Sequence, residues 1–79
     1  MRPICEIAAE IISDWKNVYF GAKPYLSAMR NLGALSDQYG MDTADNIVRY
    51  FLSNATSWRG ETAKRIKAEL KAGLAGRQE

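Results

Sequence analysis

Ile4, Ile7, Ala8, Ile11, Ile12 and Trp15 fall at the i, i+3, i+4 spacing that lines one face of an α-helix. Later stretches repeat this period almost everywhere, and none alternates apolar and polar residues for long. That pattern predicts an all-α fold, a compact bundle of about four short helices. A chain of 79 residues holds one core, so the expected organisation is a single helical domain over 1–75 with a frayed tail at 76–79. A domain of this size buries only about 60% of its unfolded surface, so its stability is modest.

Punctuation in the sequence sets the helix limits. Pro3 suits a first turn, where its missing N–H costs nothing, so the first helix is expected from about Pro3 to Trp15 or Lys16. The aromatic-rich segment 17–23 connects it to a second helix with Pro24 in its first turn. Gly33 weakens that helix, which either breaks there or continues through Leu35 to Tyr39, with Gly40 as its C′ residue. Asp42 reads as the N-cap of a third helix carrying Ala44, Ile47, Val48, Phe51 and Ala55 inward and ending near Asn54. A fourth helix starts near Thr56 or Ser57, with Ala63, Ile66, Leu70 and Leu74 as a narrow stripe extended backwards by Trp58. Gly73 and Gly76 end it. The expected core is Ile4, Ile7, Ile11, Trp15, Leu26, Met29, Leu32, Ile47, Val48, Phe51, Ile66 and Leu70.

Composition removes most chemistry. Without His and with a single Cys, the chain builds neither an intramolecular disulfide framework, nor the usual structural zinc sites, nor any triad that uses His as a base. An apolar fraction of 47% argues against wholesale disorder. Glu6 and Glu10 interrupt the apolar stretch a signal peptide needs, and no run approaches the ~20 residues of a membrane span, so a cytoplasmic location is expected. Glu6/Glu10 and Asp42/Asp45 have the spacing of paired carboxylates. Lacking a His partner, they read as a solvated face and a helix N-terminus. Cys5, beside the first stripe, reads as a small, partly buried apolar residue. Asp37, Asp42 and Asp45 around Gly40 do not match a calcium-loop spacing. No phosphate-binding glycine loop occurs. No catalytic residue, metal or cofactor is therefore assigned.

Two features point to a partner. Residues 1–58 carry five basic and six acidic side chains, whereas 59–79 carry six basic and three acidic ones. Lys64, Lys67 and Lys71 share a helix face, with Arg59 before them and Arg65 flanking the apolar stripe. This basic face (Arg59, Lys64, Arg65, Lys67, Lys71) can meet an acidic protein or neutralise phosphates. The competing reading is a solvated helix surface supported by i, i+4 pairs of Arg65 with Glu61 and Glu69. The second feature is the aromatic corner of Trp15, Tyr19 and Phe20, either an interface anchor or a staple at the first helix joint. Residues 42–55 and 58–74 also have a helix-turn-helix outline. Their turn lacks the expected Gly, and Trp58 is awkward at a DNA surface.

Segments 22–29 (AKPYLSAM), 39–42 (YGMD), 48–55 (VRYFLSNA) and 58–70 (WRGETAKRIKAEL) resemble a group of small bacterial and phage or prophage open reading frames of no assigned activity. The resemblance spans about residues 4–72 and implies a cytoplasmic, mobile-element-borne protein. No site residue carries over from it. The functional expectation is a small non-enzymatic module that binds a protein partner and, if phage-borne, modulates a host factor. The alternative is nucleic-acid binding through the basic C-terminal helix. Monomer and homodimer both stay open, because a small domain can complete its core with a second copy.

Overall fold

In the computed structural model, residues 1–76 are described. The elements run α1 (Ile4–Asp14), α2 (Lys23–Met29), β1 (Gln38–Tyr39), β2 (Asp42–Thr43), α3 (Ala44–Ser53) and α4 (Glu61–Ala75). Helix dominates, but the fold is not strictly all-α, because β1 and β2 form an antiparallel hairpin with Gln38 opposite Thr43 and Tyr39 opposite Asp42. Of the tail expected at 76–79, Gly76 is the C-cap of α4 and the remainder lies outside the described residues.

Every one of the expected core residues is buried. The cluster also takes in Ala22, Ala28, Leu35, Ala44, Ala55, Trp58, Ala63 and Leu74, and no polar or charged side chain is buried among the described residues. Two assignments on α1 change. Ile12 is 40% exposed, because the face that meets the other helices is narrower than the apolar stripe. Cys5, expected to be partly buried, is exposed.

Of the two expected outcomes for α2, a break at Gly33 or a continuation to Tyr39, the chain takes neither to the letter, and a hairpin occupies the segment the continuation would have used. The helix ends at Met29, short of Gly33, and its last turn tightens through i→i−3 bonds from Asn31 N–H to Ala28 O and Leu32 N–H to Met29 O. Asp37 then folds the chain back: one carboxylate oxygen accepts from Gly33 N–H at 2.8 Å and Ala34 N–H at 3.0 Å. These bonds, Ala34 first, hold the Asp37 carboxyl below its usual range. A side chain that captures nearby amides in this way competes directly with helix. Gly40 does take a left-handed φ, +59°, but as the first residue of the two-residue hairpin turn and not as a helix end.

Helix starts are capped by remote backbone. The first amides of α1, Ile4 and Cys5, donate to Gly33 O and Leu32 O at 2.8 Å. Those of α3, Ala44 and Asp45, donate to Asp37 O and Leu35 O. One connecting loop thereby satisfies the orphan donors of two helices. Thr43, not Asp42, is the N-cap of α3. α4 starts at Glu61 after Gly60, later than Thr56 or Ser57, and Gly73 lies within it. The N-terminal segment is pinned to α4 by a bidentate contact in which Arg2 donates to Glu69 at 2.8 and 3.1 Å.

Candidate docking site

The site is assembled on Trp58, in the seven residues between α3 and α4. Its ring stacks on Trp15 (centroids 5.7 Å apart, 14° between planes) and meets Phe51 edge-on at 6.3 Å. Its Nε1–H donates to Asp14 Oδ2 at 2.9 Å. Ring and N–H together fix the connecting segment against the end of α1. The next residues turn through Gly60, whose φ of +116° with ψ of −179° is open essentially to glycine alone.

The Trp58 carbonyl projects toward α4 and accepts a bond from Lys67 Nζ at 2.7 Å, and the ammonium lies 5.8 Å from the indole centroid. Lys67 is thus half-buried and fixed, while Arg59, Lys64 and Lys71 are exposed. Trp58, Arg59, Gly60, Ala63, Lys64 and Lys67 enclose a shallow pocket of about 290 Å³. Burial, then the like charges of Lys71 and Arg59, push the Lys67 ammonium below its ordinary pKa. Among the described residues no ion pair joins Arg59, Lys64, Lys67 or Lys71 to a carboxylate.

Arg65 does not belong to this group. Its guanidinium bonds Glu10 on α1, which also pairs with Arg2 at 3.0 Å, and these partners, Arg65 first, hold the Glu10 carboxyl below its usual range. Glu69, expected beside Arg65, is taken by Arg2. The i, i+4 reading therefore yields to contacts between elements. The aromatic corner also divides. Trp15 is a core residue, 7% exposed, whereas Tyr19 and Phe20 pack on each other at 4.9 Å on the surface and Phe20 is 76% exposed. The seven-residue connection between α3 and α4 is longer than a helix-turn-helix turn, and Trp58 points inward from it.

A larger cavity, about 500 Å³, opens where the N-terminal segment, residues 33–35 and the end of α4 meet. Among the described residues its one charged lining side chain is Arg2, which is committed to Glu69 and Glu10. No sequence pattern announces it, because three separate segments form it. Among the described residues no three His, Cys, Asp or Glu side chains gather to hold a metal ion, and no helix is long and apolar enough to cross a membrane. The chain matches no protein-family model, no curated protein and no solved structure.

Proposed function

We propose that this chain is a non-enzymatic binding protein whose docking surface is the cationic rim of the Trp58 pocket, and that its partner is an acidic face or segment of another protein. One observation carries the reading. Arg59, Lys64, Lys67 and Lys71 crowd together without an acid to pair with among the described residues, while Arg2, Arg49 and Arg65 each sit on a carboxylate. Like charges held together by the fold repel one another, and an acidic partner relieves that repulsion as it binds. Lys67 is already ordered by the Trp58 carbonyl, so less side-chain entropy is lost on docking.

A protein suits this surface better than a nucleic acid. Arg59, Lys64 and Lys67 line one pocket and Lys71 lies close to Lys67, whereas a phosphate backbone is tracked by an extended row of contacts. The adjacent α1 exposes Glu6 and Asp14, which repel a polyanion lying across both helices. That the partner is a host factor and the setting cytoplasmic belongs to the same proposal, and rests on the resemblance to small phage and bacterial reading frames.

Fluorescence anisotropy with a labelled oligoglutamate peptide, a short DNA duplex and a short RNA, each at low and at physiological salt, tests the reading. The peptide should bind, weaken with salt, and lose its binding to the Lys64→Glu/Lys71→Glu variant. Tighter binding of DNA or RNA than of the peptide would transfer the assignment to nucleic acid. No binding of any probe removes the basic surface and turns attention to Tyr19 and Phe20.

A further inference from the structure

We infer that the Trp58 pocket receives a phosphate monoester, the phosphorylated serine or threonine side chain of the acidic partner. This inference rests on the docking reading above and narrows it to one chemical group. The pocket, about 290 Å³, lies just below the roughly 300–1,000 Å³ range of ligand pockets, so it suits one compact group and not a cofactor. Its donors are of three kinds in three places. Arg59 offers a planar fork, Lys64 a freely rotating ammonium, and Lys67 an ammonium held by its bond to the Trp58 carbonyl. That bond uses one Lys67 N–H and leaves two for a ligand.

The charge count favours phosphate over carboxylate. A phosphorylated side chain carries about −1.5 to −2 charges at neutral pH and three acceptor oxygens. A carboxylate brings one charge and two oxygens, which leaves this group of four cations largely uncompensated. Burial first, then the like charges of Lys71 and Arg59, lower the basicity of Lys67, and an anion beside it offsets the like-charge part. The amide end of α4 adds potential of the same sign, offset in part by Glu61 in its first turn.

Amide chemical-shift titration of the isotope-labelled full chain tests this with four probes. They are a blocked Gly-phosphoserine-Gly peptide, its serine counterpart, a blocked Gly-Glu-Glu-Gly peptide of matched charge, and inorganic phosphate. The phosphopeptide should shift Gly60, Ala63, Lys64 and Lys67 saturably and bind about tenfold tighter than the di-glutamate peptide, with no response to the serine peptide. Its affinity should rise from pH 5 to 7 as the second phosphate proton, with pKa about 6, is lost. Lys64→Gln and Arg59→Gln, both at exposed positions, should each weaken it several-fold while leaving the unbound spectrum folded. Equal binding of phosphopeptide and di-glutamate overturns the phosphate assignment and leaves acidic docking standing. Inorganic phosphate binding as tightly as the phosphopeptide overturns the side-chain assignment in favour of a free-anion site. If no probe moves these resonances, both readings fall.

Discussion

Trp58 ties the core to the docking site, so Trp58→Phe is the most informative substitution in the molecule. The smaller ring keeps the backbone carbonyl that holds Lys67, while the Nε1–H bond to Asp14 at 2.9 Å disappears. At 2% exposure nearly all of the lost ring area was buried. That area is roughly 40–50 Å², about 1 kcal/mol at ~25 cal/mol/Å². The hydrogen bond to an exposed carboxylate adds about 1 kcal/mol, below the ~1.5–3 of a shielded charged bond because water competes for Asp14. The sum, about 2 kcal/mol, is a large share of the roughly 4–12 kcal/mol expected for 79 residues. Tm should fall by roughly 8–16 °C. Urea denaturation followed by far-ultraviolet circular dichroism measures the loss, and a double-mutant cycle with Asp14→Ala isolates the bond. Coupling of about 1 kcal/mol is expected. A loss under about 0.5 kcal/mol would show that neither the stack nor the bond anchors this segment, and coupling near zero would remove the bond alone.

Four further outcomes follow from the same contacts. Gly60→Ala forces a side chain into a glycine-only conformation and should cost about 1–3 kcal/mol by urea denaturation, although nothing lies within 4 Å of the added carbon. Gly73→Ala should stabilise α4 by roughly 0.5–1 kcal/mol, because the atom it meets at 2.7 Å is the flexible Met1 sulfur, and a lowered urea midpoint would refute this. Glu10, Glu69 and Asp37 are held below their ordinary values of 4.5, 4.5 and 3.8, so their stabilisation is complete above those values and disappears as pH falls through the lower native ones. The urea midpoint should stay flat down to about pH 5 and then drop, and an unchanged midpoint at pH 3 would contradict it. Phe20→Ser, at a position 76% exposed, should leave the urea midpoint within about 0.5 kcal/mol of the parent.

The hydrophobic period was sufficient to place the core. A residue such as Ile7, Phe51 or Leu70 lies on an apolar stripe only one helix face wide, and burial of that face follows from the stripe alone. The hairpin at 38–43 escaped the same reasoning. Its signals, Asp37 capturing two amides and Gly40 taking a left-handed φ, look identical in sequence to a helix end. Part of the candidate site was legible in the same way. Lys64, Lys67 and Lys71 share a face by spacing, but their grouping with Arg59 around a pocket requires the turn at Gly60. Arg65 illustrates the limit: its neighbours along the helix suggested local pairs, and the approach of α1 gave it Glu10 instead.

Sequence by itself determined the helical period, the apolar faces, the absence of His and the basic bias of the last quarter, because each is a local property of the chain. Tertiary structure alone decided which charges were neutralised and which were left free. Arg2 and Arg65 were spent on Glu10 and Glu69 across elements, while Trp58, fixed by Trp15, Phe51 and Asp14, held Lys67 beside Arg59 and Lys64 with no acid as ion-pair partner among the described residues. Charge pairing depends on distances of a few ångströms between residues far apart in the chain, and only packing sets those distances.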